Sequence, residues 1–258
     1  MRLLTYNIRA GGEGRVGALA AVVSHCAPDL VVLQEAVDPG VVEQLASATG
    51  MSALGARPRH SLAFMSRGPV ERYEWHRPPG SRRAFLEIVP AGDSLRVFGV
   101  HLTAVHSNWT ERRRVRELRA ILDGVARHRD AFHLVTGDFN TLAPGEELDL
   151  RKLPPRLRAL AWLTGRRIRW ETIQLMLDAS YVDGYRSLHG ADPGYTFPTW
   201  DPHVRLDYVF LPLAWSRRLS ACAVVGDHPA LVQASDHLPL LTEISPPSLG
   251  LDALSARA

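Results

Sequence analysis

The chain has 258 residues, 46% of them hydrophobic and 22% charged, which is an ordinary globular composition with enough apolar residues for a sizeable core. No apolar run approaches the roughly 20 residues of a membrane-spanning helix, which argues against an integral membrane protein of that type. The formal net charge of +3 is compatible with an anionic substrate but does not demand one.

Two features of the sequence bear on the compartment. Met1 leads directly into the apolar segment RLLTYNI, so no signal peptide is predicted. Cys26 and Cys222 lie far apart without the spacing of a metal site, which favours reduced, buried thiols over a disulfide framework. We therefore expect a cytoplasmic protein, and we expect it to be a monomer.

Elements of both types alternate through the first half of the chain. Apolar runs predict strands over 2–8, 30–35, 61–67, 83–90 and 94–102, and the turn AGDS joins the last two as a hairpin. Helical spacing of apolar residues predicts helices over 16–25 and 39–49, the second closed by Gly50.

The second half continues the mixture. A long helix is predicted over 108–129 with Thr110 as its N-cap, and a strand over 132–137. Shorter helices are predicted over 157–163 and 170–177, and strands over 206–211, 221–226 and 237–244. Without repeats or long linkers, this pattern predicts a single α/β domain with mixed sheets over 1–245, followed by a flexible tail over 246–258.

Polar side chains recur where the apolar strands end or begin. They are Asn7, Glu35, His101, Asp138, Asn140, Asp207, Asp236 and His237. Turn chemistry explains one or two such residues but not the whole set, and functional groups tend to lie where a rigid scaffold ends. Carboxylate and amide oxygens suit Mg²⁺ or Mn²⁺, so the set favours metal-assisted hydrolysis with a histidine beside the developing charge.

The motifs that carry these residues form an ordered series along the chain. They are TYNIR (5–9), LVVLQE (30–35), VFGVHL (97–102), VTGDFN (135–140), RLDYVFL (205–211) and SDHLPL (235–240). The series resembles the endonuclease/exonuclease/phosphatase superfamily. The resemblance implies a deoxyribonuclease I-like, four-layered α/β sandwich, in which helices flank two packed mixed β-sheets. It also implies a phosphoester hydrolase that depends on a divalent metal and attacks phosphorus with an activated water.

The resemblance assigns roles to the metal-binding residues. Glu35 would be the principal ligand of Mg²⁺ or Mn²⁺, and Asn7 would help to hold the metal and the phosphate. Asp236 would assist at the metal or at a second metal position.

Five further residues would act at the phosphate. Asp138 would orient or deprotonate the attacking water, with Asn140 bonding the phosphate beside it. His237 would stabilise the charge on phosphorus, kept cationic by Asp207, because a nearby carboxylate raises a histidine pKa. His101 would contact the phosphate or the leaving oxygen.

Competing structural interpretations exist for some residues. Asp207 could instead be the buried ion-pair partner of Arg205. His106 and His133 are interpreted as structural or surface residues, and Tyr208 as a core residue.

Departures from the family pattern bear on the branch. Arg9 stands where the apurinic-endonuclease branch carries an acidic residue, and His101 where that branch carries a tyrosine. Both favour the broad branch of deoxyribonuclease I-like, sphingomyelinase-like and deadenylase-like enzymes, with Arg9 free to bind phosphate. No acidic partner for His101 is evident among Arg59, His60 and Ser61.

Two segments concern the substrate. The basic insertion at 141–180 interleaves arginines with Trp162 and Trp170, which suits nucleic acid, an anionic lipid surface, or an exposed helical cap whose tryptophans pack inward. The segment 194–205 precedes Asp207 and should overhang the site, where Trp200 and His203 would contact the substrate unless Asp201 and Pro202 simply form a turn.

Three functions are compatible with the sequence. The first is a phosphodiesterase or nuclease acting on nucleic acid or a nucleotide. The second is the same chemistry on a phospholipid, phosphoinositide or sugar phosphate, and the third is a non-catalytic binding protein on the same scaffold. Suitable residues at Glu35, Asp138 and His237 weaken the third.

Overall fold

A computed structural model describes residues 1–79, 81, 83–92, 95–104, 108–128, 131–146, 149, 151–152 and 170–245, and structural statements below concern these residues. The predicted helix over 157–163, most of the basic part of 141–180, His106 and the tail 246–258 lie outside them. None of the described helices combines the length and apolar character needed to cross a membrane. Cys26 and Cys222 are buried and free.

The described residues form twelve strands and six α-helices. The strands are β1 Arg2–Asn7, β2 Leu30–Gln34, β3 Ala53–Gly55, β4 Leu62–Ser66, β5 Val70–His76, β6 Phe85–Pro90, β7 Arg96–His101, β8 His133–Asp138, β9 Tyr181–Asp183, β10 Asp207–Pro212, β11 Leu219–Val224 and β12 Leu240–Ile244. The α-helices are α1 Val16–Cys26, α2 Pro39–Thr49, α3 Asn108–Val125, α4 Glu171–Asp178, α5 Gly184–His189 and α6 Leu231–Ala234. Short 3₁₀ turns occupy Ala10–Gly12, Ala126–His128 and Leu213–Arg218.

The strands build two mixed sheets of six strands each. The first sheet has the order β11-β12-β1-β2-β4-β3, and the second has the order β5-β6-β7-β8-β10-β9. In each sheet one central pair is parallel, β1 with β2 and β7 with β8. The other pairings are antiparallel.

Alternation along the strands divides the apolar residues among three core layers. Leu4 and Tyr6 of β1 belong to the core that packs against α1 and α2, whereas Leu3 belongs to the core between the sheets. On the far side, residues of the second sheet such as Phe98 and Val135 pack against α3 and α4. The layers therefore run helix, sheet, sheet, helix, and the predicted four-layered α/β sandwich is confirmed.

Local predictions fail where a segment is short or polar. The edge strand β5 was missed because most of its residues are exposed, and β3, β9, α5 and α6 are too short for a clear period. Thr110 is not an N-cap, because α3 begins at Asn108 and includes it. The last predicted strand starts at Leu240, so residues 237–239 form part of the preceding loop.

A single glycine allows the close approach of β7 and β8. Gly137 has a φ of +140°, and a Cβ there would lie 2.0 Å from the carbonyl oxygen of Val100.

We expect Gly137→Ala to lower the free energy of unfolding by roughly 3 kcal/mol or more, as measured by urea denaturation. Gly17→Ala is the matched control. Gly17 is exposed on α1 with no atom near its Cβ position, so alanine should preserve or increase stability there. Equal stability of the two variants would contradict the prediction.

Candidate active site

Strand register brings three of the predicted residues into one row. His101 of β7 pairs with Asp138 of β8, and Asp138 pairs in turn with Asp207 of β10. These positions have the same strand parity as Leu134 and Val209, which belong to the core between the sheets. The row is buried and lies at the end of the second sheet, facing the first sheet.

The first sheet supplies the residues opposite this row. The Asn7 carboxamide, at the end of β1, donates from Nδ2 to Asp138 Oδ2 at 3.0 Å and to Glu35 Oε1 at 3.2 Å. His237 lies in the loop before β12, and its Nδ1 is 2.9 Å from Asp207 Oδ2. Both sheets therefore contribute to one polar cluster.

Glu35 reaches the cluster through a reversal of the backbone. Val31 and Leu33 of β2 face the outer core, so simple alternation would also turn residue 35 away from the other sheet. Glu35 instead adopts a φ of 57°, and its Oε2 accepts the amide N–H of Ala10 at 2.5 Å. Left-handed backbone in a non-glycine residue is costly and is frequent at functional sites.

Asp138 uses its two oxygens differently. Oδ1 accepts the backbone N–H of Asn140 at 2.8 Å, which is the side-chain turn that aspartate favours. Oδ2 faces Asn7 and the Nε2 atoms of His101 and His237, at 3.8 and 3.9 Å. The Asn140 carboxamide donates to the carbonyl of Leu102 at 3.2 Å. The GDFN motif therefore forms a side-chain turn through Oδ1 and also directs Oδ2 into the polar cluster.

Burial and neighbouring charges set opposite protonation states in the two histidines. Burial alone would lower the pKa of His237, but the Asp207 carboxylate, aided by Asp138, raises that pKa to about 10. Burial, together with the Arg83 cation, lowers the pKa of His101 to about 3. At neutral pH His237 is therefore cationic and His101 neutral.

The carboxylates also differ. Burial, with Asp207 nearby, raises the pKa of Asp138 to about 7, although His237 and Asn7 oppose the shift. Burial acts to raise the pKa of Glu35 too, but hydrogen bonds from the Ala10 amide and Asn7 outweigh it and lower that pKa. Glu35 is therefore ionised at neutral pH, whereas Asp138 titrates near neutrality.

Ser61 is a site residue that sequence reasoning missed. Its hydroxyl bonds Nδ1 of His101, which leaves Nε2 of that ring toward Asp138. The family pattern has an acid at this position, so the serine did not indicate a partner for His101 in the sequence. Its contact with His101 arises only when one sheet packs on the other.

Asp236 and Arg9 lie at the outer rim of the cluster. Arg9 Nε is 3.6 Å from Asp236 Oδ2, and both side chains reach solvent. The neighbouring Ser235 hydroxyl donates to the Asn7 carbonyl and accepts from the backbone N–H of His237, so it ties the loop before β12 to β1.

The overhanging segment places Phe197, an aromatic residue that the sequence did not single out, beside His237. The ring of Phe197 lies 5.0 Å from that of His237, whereas Trp200 packs on Phe197 at 6.5 Å and is 61% exposed. His203 bonds the carbonyl of Asp201 through Nδ1 at 2.6 Å. The structure therefore places neither Trp200 nor His203 against the polar cluster, and the contact belongs to Phe197.

The contacts of Arg205, Tyr208 and His133 decide between the structural interpretations of these residues. Arg205 pairs with Glu146 at 2.8 Å and with Asp183 at 2.9 Å, whereas Asp207 bonds His237, so the alternative ion pair of Arg205 with Asp207 does not form. Tyr208 is fully buried in the outer core of the second sheet. His133 is also buried, and its Nε2 lies 2.6 Å from the hydroxyl of Tyr181.

The donor set suits a hard divalent cation. Ligand atoms of Asp138, Asp207 and His237 lie within 4.8 Å of one another. A cationic His237 bonded to Asp207 is a poor metal ligand. The oxygen donors of Glu35, Asn7 and the two aspartates Asp138 and Asp207 are therefore the better candidates. The buried Oδ1 of Asp207 has no hydrogen-bond partner within the described part of the chain.

The fold has two mixed sheets between helical layers, and acids, amides and histidines cluster where both sheets end. This combination defines a phosphoester hydrolase of the deoxyribonuclease I-like class. The family model described as "Endonuclease/Exonuclease/phosphatase family" matches residues 4–237, and the chain belongs to this family. The resemblance inferred from the motifs is confirmed. No curated protein matches the sequence significantly.

Solved structures share the fold at low sequence identity. A 3′-phosphatase from Neisseria bound to a product DNA hairpin is 20% identical, with a TM-score of 0.70 over 95% of this chain and 99% of that one. An AP endonuclease from Archaeoglobus fulgidus is 17% identical, with a TM-score of 0.72 over 95% and 99% of the two chains. An endonuclease/exonuclease/phosphatase from Beutenbergia cavernae is 21% identical, with a TM-score of 0.67 over 95% and 72%.

The His237–Asp207 pair predicts a measurable pH dependence. Because the pair holds the pKa of His237 above its unfolded value, its stabilisation is fully present below about pH 6.5 and is lost as the pH rises through about 10. Asp207→Asn removes the carboxylate, so we expect NMR titration of the imidazole to give a pKa below neutrality. Asp227→Asn, a remote surface change, should leave the titration of His237 unaltered. An unshifted pKa in Asp207→Asn would contradict the prediction.

Proposed function

We propose that the chain is a divalent-metal-dependent phosphodiesterase that cleaves nucleic acid or a nucleotide by in-line attack of an activated water. The observation that carries the proposal is the position of Asp138 Oδ2, which faces one neutral and one cationic histidine from a buried strand end. A base, a hydrogen-bond donor and a cation thus converge on the space that a phosphate would fill.

Asp138 and His237 divide the acid–base work in this proposal. The pKa of Asp138, about 7, is matched to removing a proton from water at neutral pH. The imidazolium of His237 donates from Nε2 to the phosphate oxygen that gains charge, while Asp207 holds the ring through Nδ1.

His101, Asn140 and Arg9 bind the phosphate. The Ser61 hydroxyl can donate to Nδ1 of the neutral His101 ring, which places the ring proton on Nε2 for a phosphate or leaving oxygen. Asn140 uses one amide hydrogen for the Leu102 carbonyl and keeps a second for the phosphate. Arg9, exposed at the rim, supplies a guanidinium to the same group.

Glu35, Asn7 and Asp236 would hold Mg²⁺, with Mn²⁺ as the alternative ion. Their hard oxygen donors and the lowered pKa of Glu35 support this assignment. The bound ion supplies Lewis-acid polarisation of the phosphate oxygen.

Nucleic acid or a nucleotide is the favoured substrate class. Support comes from the similar structures, whose names include a 3′-phosphatase bound to a DNA hairpin and an AP endonuclease. The exposed Trp200 beside Phe197 offers an aromatic surface on which a base could stack. Phospholipid, phosphoinositide or sugar phosphate remains the alternative substrate class.

We further propose one catalytic domain over 1–245, because the core between the sheets includes residues from Leu3 to Ile244.

Asp138→Asn and His237→Ala should each reduce kcat on a phosphodiester by about 100- to 10,000-fold, since each removes a proton-transfer or charge-stabilising group. Cleavage of bis(p-nitrophenyl) phosphate measures the effect. The surface pair His25 and Asp227, 3.2 Å apart, gives matched controls. His25→Ala and Asp227→Asn should retain full activity. Full activity in either site variant, with folding verified by circular dichroism, would refute the assigned roles.

Removal of divalent metal should abolish hydrolysis. We expect EDTA to inactivate the protein, and Mg²⁺ or Mn²⁺ to restore activity, because the Lewis acid that would polarise the phosphate oxygen is removed and then returned. The same assay applied to DNA, RNA, nucleotides, sphingomyelin and phosphoinositides measures the substrate class. Metal-independent turnover would overturn the metal assignment, and activity on lipids alone would overturn the nucleic-acid proposal.

A further inference from the structure

Three arginines surround a small cavity on the His101 side of the active site. Arg59, Arg77 and Arg83 line this space of about 110 Å³, with Trp75, Ser61 and His101 among its other walls. We call it the arginine pocket. Its volume suits a single compact anionic group better than a continuing chain.

The pocket arginines differ from the buried arginines of this protein. Arg114 pairs with Glu111, and Arg205 pairs with Asp183 and Glu146. Within the described residues, no carboxylate lies at salt-bridge distance from any of the three pocket guanidinium groups. The three like charges repel one another, although water screens the exposed Arg59 and Arg77, and a bound anion would relieve that repulsion.

Local backbone contacts position two of these arginines. Arg59 has a left-handed φ of 61°, and its N–H donates to the carbonyl of Val37 at 3.1 Å. Around Arg83, the Ser81 hydroxyl donates to the Arg83 carbonyl at 2.7 Å and accepts its N–H at 3.1 Å. A bulky residue in left-handed conformation at a cationic pocket is the kind of strain that occurs at binding sites.

The pocket shares a wall with the catalytic centre. Ser61 and His101 both line it, and Nε2 of the same His101 ring lies 3.8 Å from Asp138. A group in the pocket therefore lies next to the phosphate that the water activated by Asp138 attacks in the proposed function.

We propose that the arginine pocket binds a phosphate monoester that the substrate carries next to the scissile phosphodiester. This inference rests on the proposed function. A phosphate monoester carries a charge of about −1.5 to −2 at neutral pH, whereas a backbone phosphodiester carries one negative charge, so three guanidinium groups match the monoester better. The enzyme would then act next to phosphorylated ends or on bisphosphorylated nucleotides.

The test compares three dinucleotides, TpT, pTpT and TpTp, with cleavage of the internal bond followed by chromatography. We expect wild-type kcat/KM for one phosphorylated dinucleotide to exceed that for TpT by about tenfold or more. In the double variant Arg59→Gln/Arg83→Gln this preference should fall to within about twofold. Arg217→Gln, an exposed arginine on the Leu213–Arg218 turn, is the matched control and should keep the wild-type preference.

A binding experiment separates failure of this inference from failure of the proposed function. Calorimetry on the Asp138→Asn variant without metal should show tighter binding of the preferred phosphorylated dinucleotide than of TpT. In the triple variant that also carries Arg59→Gln and Arg83→Gln, the two dinucleotides should bind equally. Absence of cleavage by the wild type, with this binding pattern intact, would sink the proposed function and support the pocket. Binding no tighter than that of TpT, or a preference that survives the double substitution, would overturn the pocket.

Discussion

Three hydrogen bonds join the two sheets at the edge that carries the polar cluster: His237 to Asp207, Asn7 to Asp138, and Ser61 to His101. Each connects a residue of the first sheet, or the loop that enters it, with a strand end of the second sheet. The core between the sheets is otherwise largely apolar, with one further hydrogen bond from Trp75 Nε1 to the Leu62 carbonyl at 3.0 Å. Apolar contacts tolerate small shifts because hydrophobic contact is not directional. Buried polar partners are directional and costly to leave unpaired, so they fix how the two halves of the site face each other.

Charge balance inside the cluster follows from strand register. Asp138 and Asp207 face each other in neighbouring strands, and two buried carboxylates so placed repel each other. The imidazolium of His237 compensates, and this one arrangement accounts for the raised pKa of His237 and, with burial, for that of Asp138. A divalent cation at the neighbouring oxygens would favour ionised Asp138, so metal binding and readiness of the base are coupled in the proposed mechanism.

The sequence predicted the residues whose position depends only on strand order and strand ends. Asn7, His101, Asp138 and Asp207 meet because strands of the family pattern end at one edge, which an ordered motif series already indicates. Ser61 and Phe197 were missed because their roles come from packing between distant segments. The same holds for the arginine pocket, whose members are spread over 59–83 without a recognisable motif.

The surroundings of Asp138 are asymmetric, and the asymmetry bears on substrate orientation. On the His237 side the nearest ring is Phe197, backed by the exposed Trp200, so that flank is aromatic. On the His101 side the arginine pocket makes the flank cationic. In the proposed function, a nucleotide bridging the site would therefore have one favourable orientation, with a base toward Phe197 and a phosphate toward the arginines. If the proposed function holds, substrate choice depends on these two flanks, while the buried row between them determines the chemistry.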